Sequence, residues 1–220
     1  MATVYAGTGD SYVRNTSPSS WAAAQGDATT TGTSQNSGVS SFDFTIYNIY
    51  SGGRGGNTYF CVRGFFPFDV SEESGTVESA TLSLYADYFN TGGGQGGNVV
   101  GIESTALADN TSDFGNCYSS GTTFGTKLID ATLISQTAGF QSLTLNSAGI
   151  TALNSAIGSA TITIGIIGNY YDYLGNSPPL GGVYTKIRTD FANGSNGAYL
   201  TITYATAAVT DNATFFGANF

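Results

Sequence analysis

Short apolar stretches alternate with polar residues, and clusters of glycine, serine and asparagine separate them with almost no helical periodicity between. That pattern predicts an all-β fold: an antiparallel jelly-roll-like β-sandwich carrying one short helix. Two further observations point the same way. The 220 residues suit one large sandwich and would cramp a second independent core. Only 10% of residues are charged while 13% are aromatic, against roughly 25% charged in ordinary soluble domains. The surface must therefore be covered by Ser, Thr, Asn, Gln and Gly.

The strands follow in order. Phe42 to Tyr50 alternates, with Phe42, Phe44 and Ile46 on one face and Asp43 and Thr45 on the other. Thr58 to Phe66 is more continuously apolar and reads as a central strand. Val77 to Tyr88 alternates again, setting Ala80, Leu82 and Leu84 against Val77, Ser79 and Thr81. Asn98–Glu103, Phe140–Leu145, Ala160–Gly168, Gly182–Arg188 and Ala198–Tyr204 complete the set. The helix lies between two of these. Asn146 or Ser147 can cap it, Ile150, Leu153 and Ile157 form its apolar stripe, and Gly158 fits the position after its end.

The sandwich is expected to span residues 1–204 as one domain. Residues 205–220 form a tail outside the strand pattern, ending in Phe215, Phe216 and Phe220. Exposed aromatics favour burial by about 25 cal/mol per Å², so these three should dock on the domain itself or on a partner. Thr91 to Gly97 is a glycine-rich loop between strands of one pattern, a hint of assembly.

The chemistry that the sequence leaves out narrows function. There is no histidine, which removes Ser-His-Asp and Cys-His catalysis and histidine-bearing zinc sites. No phosphate-binding glycine loop or nucleophile elbow appears, and the spacing of the carboxylates singles out no catalytic pair. The net charge of −9, with six scattered Lys and Arg, argues against nucleic acid and anionic membrane surfaces as partners. The first residues have neither a basic nor an apolar leader region. Either a leader has been removed or the protein leaves the cell by another route, such as virion release by lysis. Cys61 and Cys117 could form one disulfide, worth ~4 kcal/mol for a loop of that size. Buried free thiols fit equally well and are the reading adopted.

Three segments are candidate sites. Asp109 and Asp113, in Asp-Asn-Thr-Ser-Asp, could offer oxygen ligands to a Ca²⁺ ion, or form an ordinary Asx-rich loop. Tyr170, Tyr171 and Tyr173, in Asn-Tyr-Tyr-Asp-Tyr, suit sugar faces or a protein interface, or a strand end packing inward. Arg63 is expected to pair structurally with a carboxylate such as Glu78 or Asp69. No cofactor is expected beyond that ion.

One resemblance adds to this. Cys61-Val-Arg-Gly-Phe-Phe-Pro-Phe-Asp-Val70 followed by Gly75-Thr-Val-Glu-Ser-Ala-Thr-Leu-Ser-Leu-Tyr85 resembles the DNRLRE family of carbohydrate-binding-type jelly rolls. Gly9-Asp-Ser-Tyr-Val-Arg-Asn-Thr-Ser-Pro18 is similar to that family's opening, and Ala198-Tyr-Leu-Thr-Ile-Thr-Tyr204 to its closing strand. The namesake motif is absent, Pro67 interrupts the usual strand, and Thr189-Asp190 stands at a usually acidic position. The resemblance implies surface attachment or polysaccharide binding. With no enzyme beside it, the chain is expected to be a non-enzymatic structural protein of a viral particle or extracellular assembly. A capsid decoration or fibre type, acting as a homo-oligomer, is the first expectation. A carbohydrate-binding or adhesion module is the second.

Overall fold

The computed structural model describes residues 1–7, 11–37, 44–53, 56–88, 97–105, 110–178, 182–189 and 197–206. Its strands, in chain order, are β1 (Ala2–Tyr5), β2 (Ser11–Ser17), β3 (Ser34–Ser37), β4 (Phe44–Gly53), β5 (Gly56–Asp69), β6 (Val77–Tyr88) and β7 (Asn98–Ser104). They continue with β8 (Tyr118–Ser120), β9 (Thr123–Phe124), β10 (Lys127–Leu133), β11 (Gly139–Thr144), β12 (Thr161–Gly168), β13 (Gly182–Thr189) and β14 (Tyr199–Tyr204). All pairings between them are antiparallel, and the fold is an all-β sandwich as the alternation predicts.

One layer is built from β1, β14, β6 and β11. The other is built on β5, which pairs with β2 along one edge and with β12 on the other, continuing through β7 to β10. β4 and β13 join the layers, since β4 pairs with β5 while β13 pairs with both β4 and β6.

β5 runs through Pro67 without a break, where the sequence reading has that proline interrupting the strand. The reason is geometric. Its ladder to β2 ends at Phe65, and the Pro67 carbonyl instead accepts the Gly7 N–H at 2.9 Å. The proline nitrogen therefore sits where no neighbouring strand asks for a donor, the kind of position at which a strand tolerates proline.

Side chains of β5 alternate between two cores. Phe66 and Phe68 enter the first, between the layers, with Leu82, Leu84, Ile164, Ile166, Leu200 and Ile202. Cys61 and Phe65 face the other way, into a second core with Val13, Trp21, Ile102, Phe114, Ile167 and Tyr171. This second core covers the outside of the β5 layer. Its lid consists of helix α1 (Trp21–Gln25), a 3₁₀ turn (Thr111–Cys117), the β8–β9 ladder and a π-helical turn (Asn169–Tyr173).

The single helix expected from sequence is α2 (Ser147–Ala156). Asn146 caps it, its side chain accepting from Gly149 N–H at 2.9 Å, and Gly158 follows with φ 75°. Leu153 enters the first core. The expectation of one short helix is corrected by α1 and the two non-α turns. Each is five to seven residues long, too short to show a hydrophobic period, and each is held by tertiary packing. Among the described residues no helix is long and apolar enough to cross a membrane.

Candidate functional site

Two places gather chemistry: the polar centre of the second core, and the outer face of the β1–β14–β6–β11 layer. The first grows from Arg63. Strand alternation on β5 points it the same way as Cys61 and Phe65, into the second core, where it is fully buried. A buried guanidinium needs every donor matched. Its Nε and Nη2 donate to the two carboxylate oxygens of Asp172 at 2.8 and 2.7 Å. Nη1 donates to the Phe114 carbonyl at 2.9 Å, and Nη2 also reaches the Gln25 carbonyl at 2.9 Å and the Tyr118 hydroxyl at 2.8 Å. The rings of Phe114, Tyr118 and Phe124 surround it, with centroids 4.1, 4.8 and 5.4 Å from its central carbon.

Asp172, not Glu78 or Asp69, is therefore the partner of Arg63. Asp69 instead accepts from the Ser71 N–H and hydroxyl, which holds its carboxyl below the usual range. The carboxylate that does pair arrives from 109 residues away on the π-helical turn. Both Asp172 and Tyr171 on that turn point inward, Tyr171 at 3% exposure. Trp21 Nε1–H and the Gln25 side-chain amide donate to the carbonyls of Tyr171 and Asp172. Tyr170 and Tyr173 stay half-buried, Tyr173 lying against Phe124 and below the Lys127 ammonium at 5.9 Å. The Asn169–Tyr173 segment is thus a plug whose Tyr171 faces the interior.

The electrostatics match that role. Burial works against the charge on Arg63, but Asp172 outweighs it and holds the guanidinium above its ordinary range. Burial, helped by the Asp172 carboxylate, pushes the Cys61 thiol well up, and burial raises Cys117 to about 12. Neither thiol is in a disulfide, and both are buried and protonated at neutral pH.

Asp113 lies on the 3₁₀ turn and is buried. Its carboxylate accepts from the Asn110 N–H at 3.4 Å and the Asn116 amide at 3.0 Å, completing a reciprocal capping box with Asn110. These bonds aim its oxygens at its own turn. Among the described residues no group of three His, Cys, Asp or Glu could hold a metal. Asp109, the glycine-rich residues 91–96 and the aromatic tail with Phe215, Phe216 and Phe220 lie outside the described residues.

The outer face is the place sequence reading missed. Tyr5, Tyr199, Phe140 and Tyr85 come from four strands and form a row of rings, with successive centroids 5.7, 5.4 and 5.4 Å apart. Tyr5 is 63% exposed and Phe140 43%. Beside them the register aligns Thr3, Thr201, Thr81 and Thr144 in a second row across the same strands. Neither row contains a charge. Period-two alternation gives each residue's outward direction, but only the strand registers bring the residues together. A cleft of about 390 Å³ also opens between α2 and the ends of β7 and β12, lined by Glu103, Ser155, Thr161 and Thr163 among others.

No family model and no curated protein matches the chain. The resemblance to DNRLRE jelly rolls accordingly rests on the quoted motifs alone.

Proposed function

We propose that this protein is a non-enzymatic structural component of a viral particle or comparable extracellular assembly, working through protein–protein contacts of its exterior. The observation that carries this reading is the row of aromatic rings on the outer face, beside a row of threonines. The cores of protein interfaces are depleted in charge and enriched in Tyr and Phe, and a patch of exposed rings in water favours burial. The polar groups of the second core support the same reading, because each hydrogen-bonding group of Arg63 is already engaged by the protein itself.

The test is hydroxyl-radical footprinting read by mass spectrometry, on the isolated chain and on particles recovered from the producing culture. Lower labelling of Tyr5, Tyr85, Phe140 and Tyr199 in the particle fraction is the expected result. Absence of the chain from particles, or equal labelling in both states, overturns the reading.

The same rings favour a second reading, a carbohydrate-binding or adhesion module. Exposed tyrosines amid hydroxyls offer apolar faces and hydrogen-bonding tips together. On this reading the glycan surface is the outer face and not Tyr171, which is buried. A glycan-array signal abolished by Tyr5→Ala with Phe140→Ala would favour it over assembly.

A further inference from the structure

We infer that a second copy of this chain docks on the free edge of β1, pairing β1 with β1 of its partner about a two-fold axis. This names one partner for the assembly reading and rests on that reading for its purpose.

The argument starts from hydrogen-bond parity. β1 pairs with β14 in an unbroken register, Ala2 with Ile202 through Tyr5 with Tyr199. The Ala6 N–H donates to the Ala198 carbonyl at 2.8 Å, one step further along the same register. Directly opposed residues of an antiparallel pair alternate between bonded and non-bonded. Ala2 and Val4 therefore use their backbone groups on β14, while those of Thr3 and Tyr5 point to the other side. Among the described residues no strand pairs with Thr3 or Tyr5 on that side, and β5 reaches it only at Gly7, whose N–H donates to the Pro67 carbonyl.

Such an edge templates another strand unless something blunts it, usually a charge, a proline or a bulge. Ala-Thr-Val-Tyr has none of these. The opposite end of the sheet contrasts with it: β10 carries Lys127 and Asp130, and two register shifts break its pairing. β1 is also self-complementary. With the axis at Val4, Thr3 faces Tyr5 of the second copy and Tyr5 faces its Thr3, so four backbone hydrogen bonds form across the seam. The two outer faces merge into one sheet, and Tyr5, now 63% exposed, gains a cross-strand neighbour. Isologous two-fold contact is the commonest way for identical chains to join. Each copy carries −9, so repulsion opposes the pairing and salt strengthens it.

Sedimentation equilibrium of the full chain at low and high salt tests this, alongside amide hydrogen exchange. The expected result is a monomer–dimer equilibrium that shifts toward dimer as salt rises, with Thr3 and Tyr5 amides protected only in the dimer. Thr3→Pro removes two of the four seam donors and no bond to β14, and should weaken the dimer about tenfold or more. Tyr5→Lys places like charges across the seam, keeps the backbone intact, and should abolish pairing, so it serves if the proline variant misfolds. A chain that stays monomeric at high salt, amides of Thr3 and Tyr5 already protected in the monomer, or a dimer indifferent to both folded variants would overturn the inference. A monomeric chain that still shows particle-dependent footprints sinks the pairing alone and leaves the assembly reading standing.

Discussion

Arg63 is buried among aromatic rings at a desolvation cost that only its partners offset. Removing one member leaves the other charged and unmatched. Arg63→Met should therefore cost about 3–5 kcal/mol, and the double variant Arg63→Met with Asp172→Leu should recover most of it, both read from denaturant unfolding. Sequence reading reached half of this. It made Arg63 structural but gave it a nearby acid, because nothing local marks a partner 109 residues away. The thiols give a second prediction. Cys117 titrates ordinarily near 9.0 but near 12 when folded, and the Tyr204 hydroxyl, half-buried and donating to Glu73, is raised from 10.0 to about 12. The unfolded chain thus loses these protons first. By linkage their contribution is intact below pH 9 and declines as pH rises from 9 toward 12. Denaturation midpoints measured across that range should fall steadily, and neither cysteine should react with a thiol reagent at pH 8 until the protein unfolds.

At the scale of elements, α2 is attached to the sandwich by a side chain imitating a strand. Asn154 accepts from the Val77 N–H at 2.8 Å and donates to the Val77 carbonyl at 3.3 Å, giving the start of β6 the bonds of a neighbouring backbone. Asn154→Ala leaves the Val77 N–H without its partner in a half-buried site. It should cost about 1–3 kcal/mol, visible as a lower thermal midpoint with an unchanged β-sheet spectrum. The helix itself was readable, cap and terminal glycine included, because its stripe spans two full turns. The bounds of β6, Val77–Tyr88, were readable, but its first face was not. A register shift between Ser79 and Val77 turns Val77 into the first core beside Ala80, Leu82 and Leu84, where strict alternation sets it opposite them. β10 was not readable. Its pairing with β7 shifts register twice, which spoils the two-residue period that reveals a strand. The outer ring row was equally hidden, because its four members belong to four strands.

For the molecule as a whole, the decisive fact is that β5, β7 and β12 supply side chains to both cores. Neither core can be lost while the other keeps its walls. Trp21, the single tryptophan, lies in the second core, so its emission reports that side alone, while far-ultraviolet circular dichroism reports the entire sheet. The two probes should give coincident denaturation midpoints, as one cooperative unit requires. A tryptophan transition at lower denaturant would mean that the lid of short helices opens by itself. The fold class was legible in the sequence because alternation reports a two-layer β protein directly. The second core was not, because its lid consists of turns too short to carry a period.

The pleat of β5 has a consequence for how this gene can change. Along that strand every odd position from Cys61 to Phe65 serves one side of the wall, and Phe66 and Phe68 serve the other. Inserting or deleting one codon there would exchange the two sets, driving a guanidinium into oil and a phenyl ring into the seat opposite Asp172. Point substitutions can be absorbed in such a strand one at a time, but its length cannot drift, so lineages of this protein should vary in loop length and keep the reading of this stretch in step.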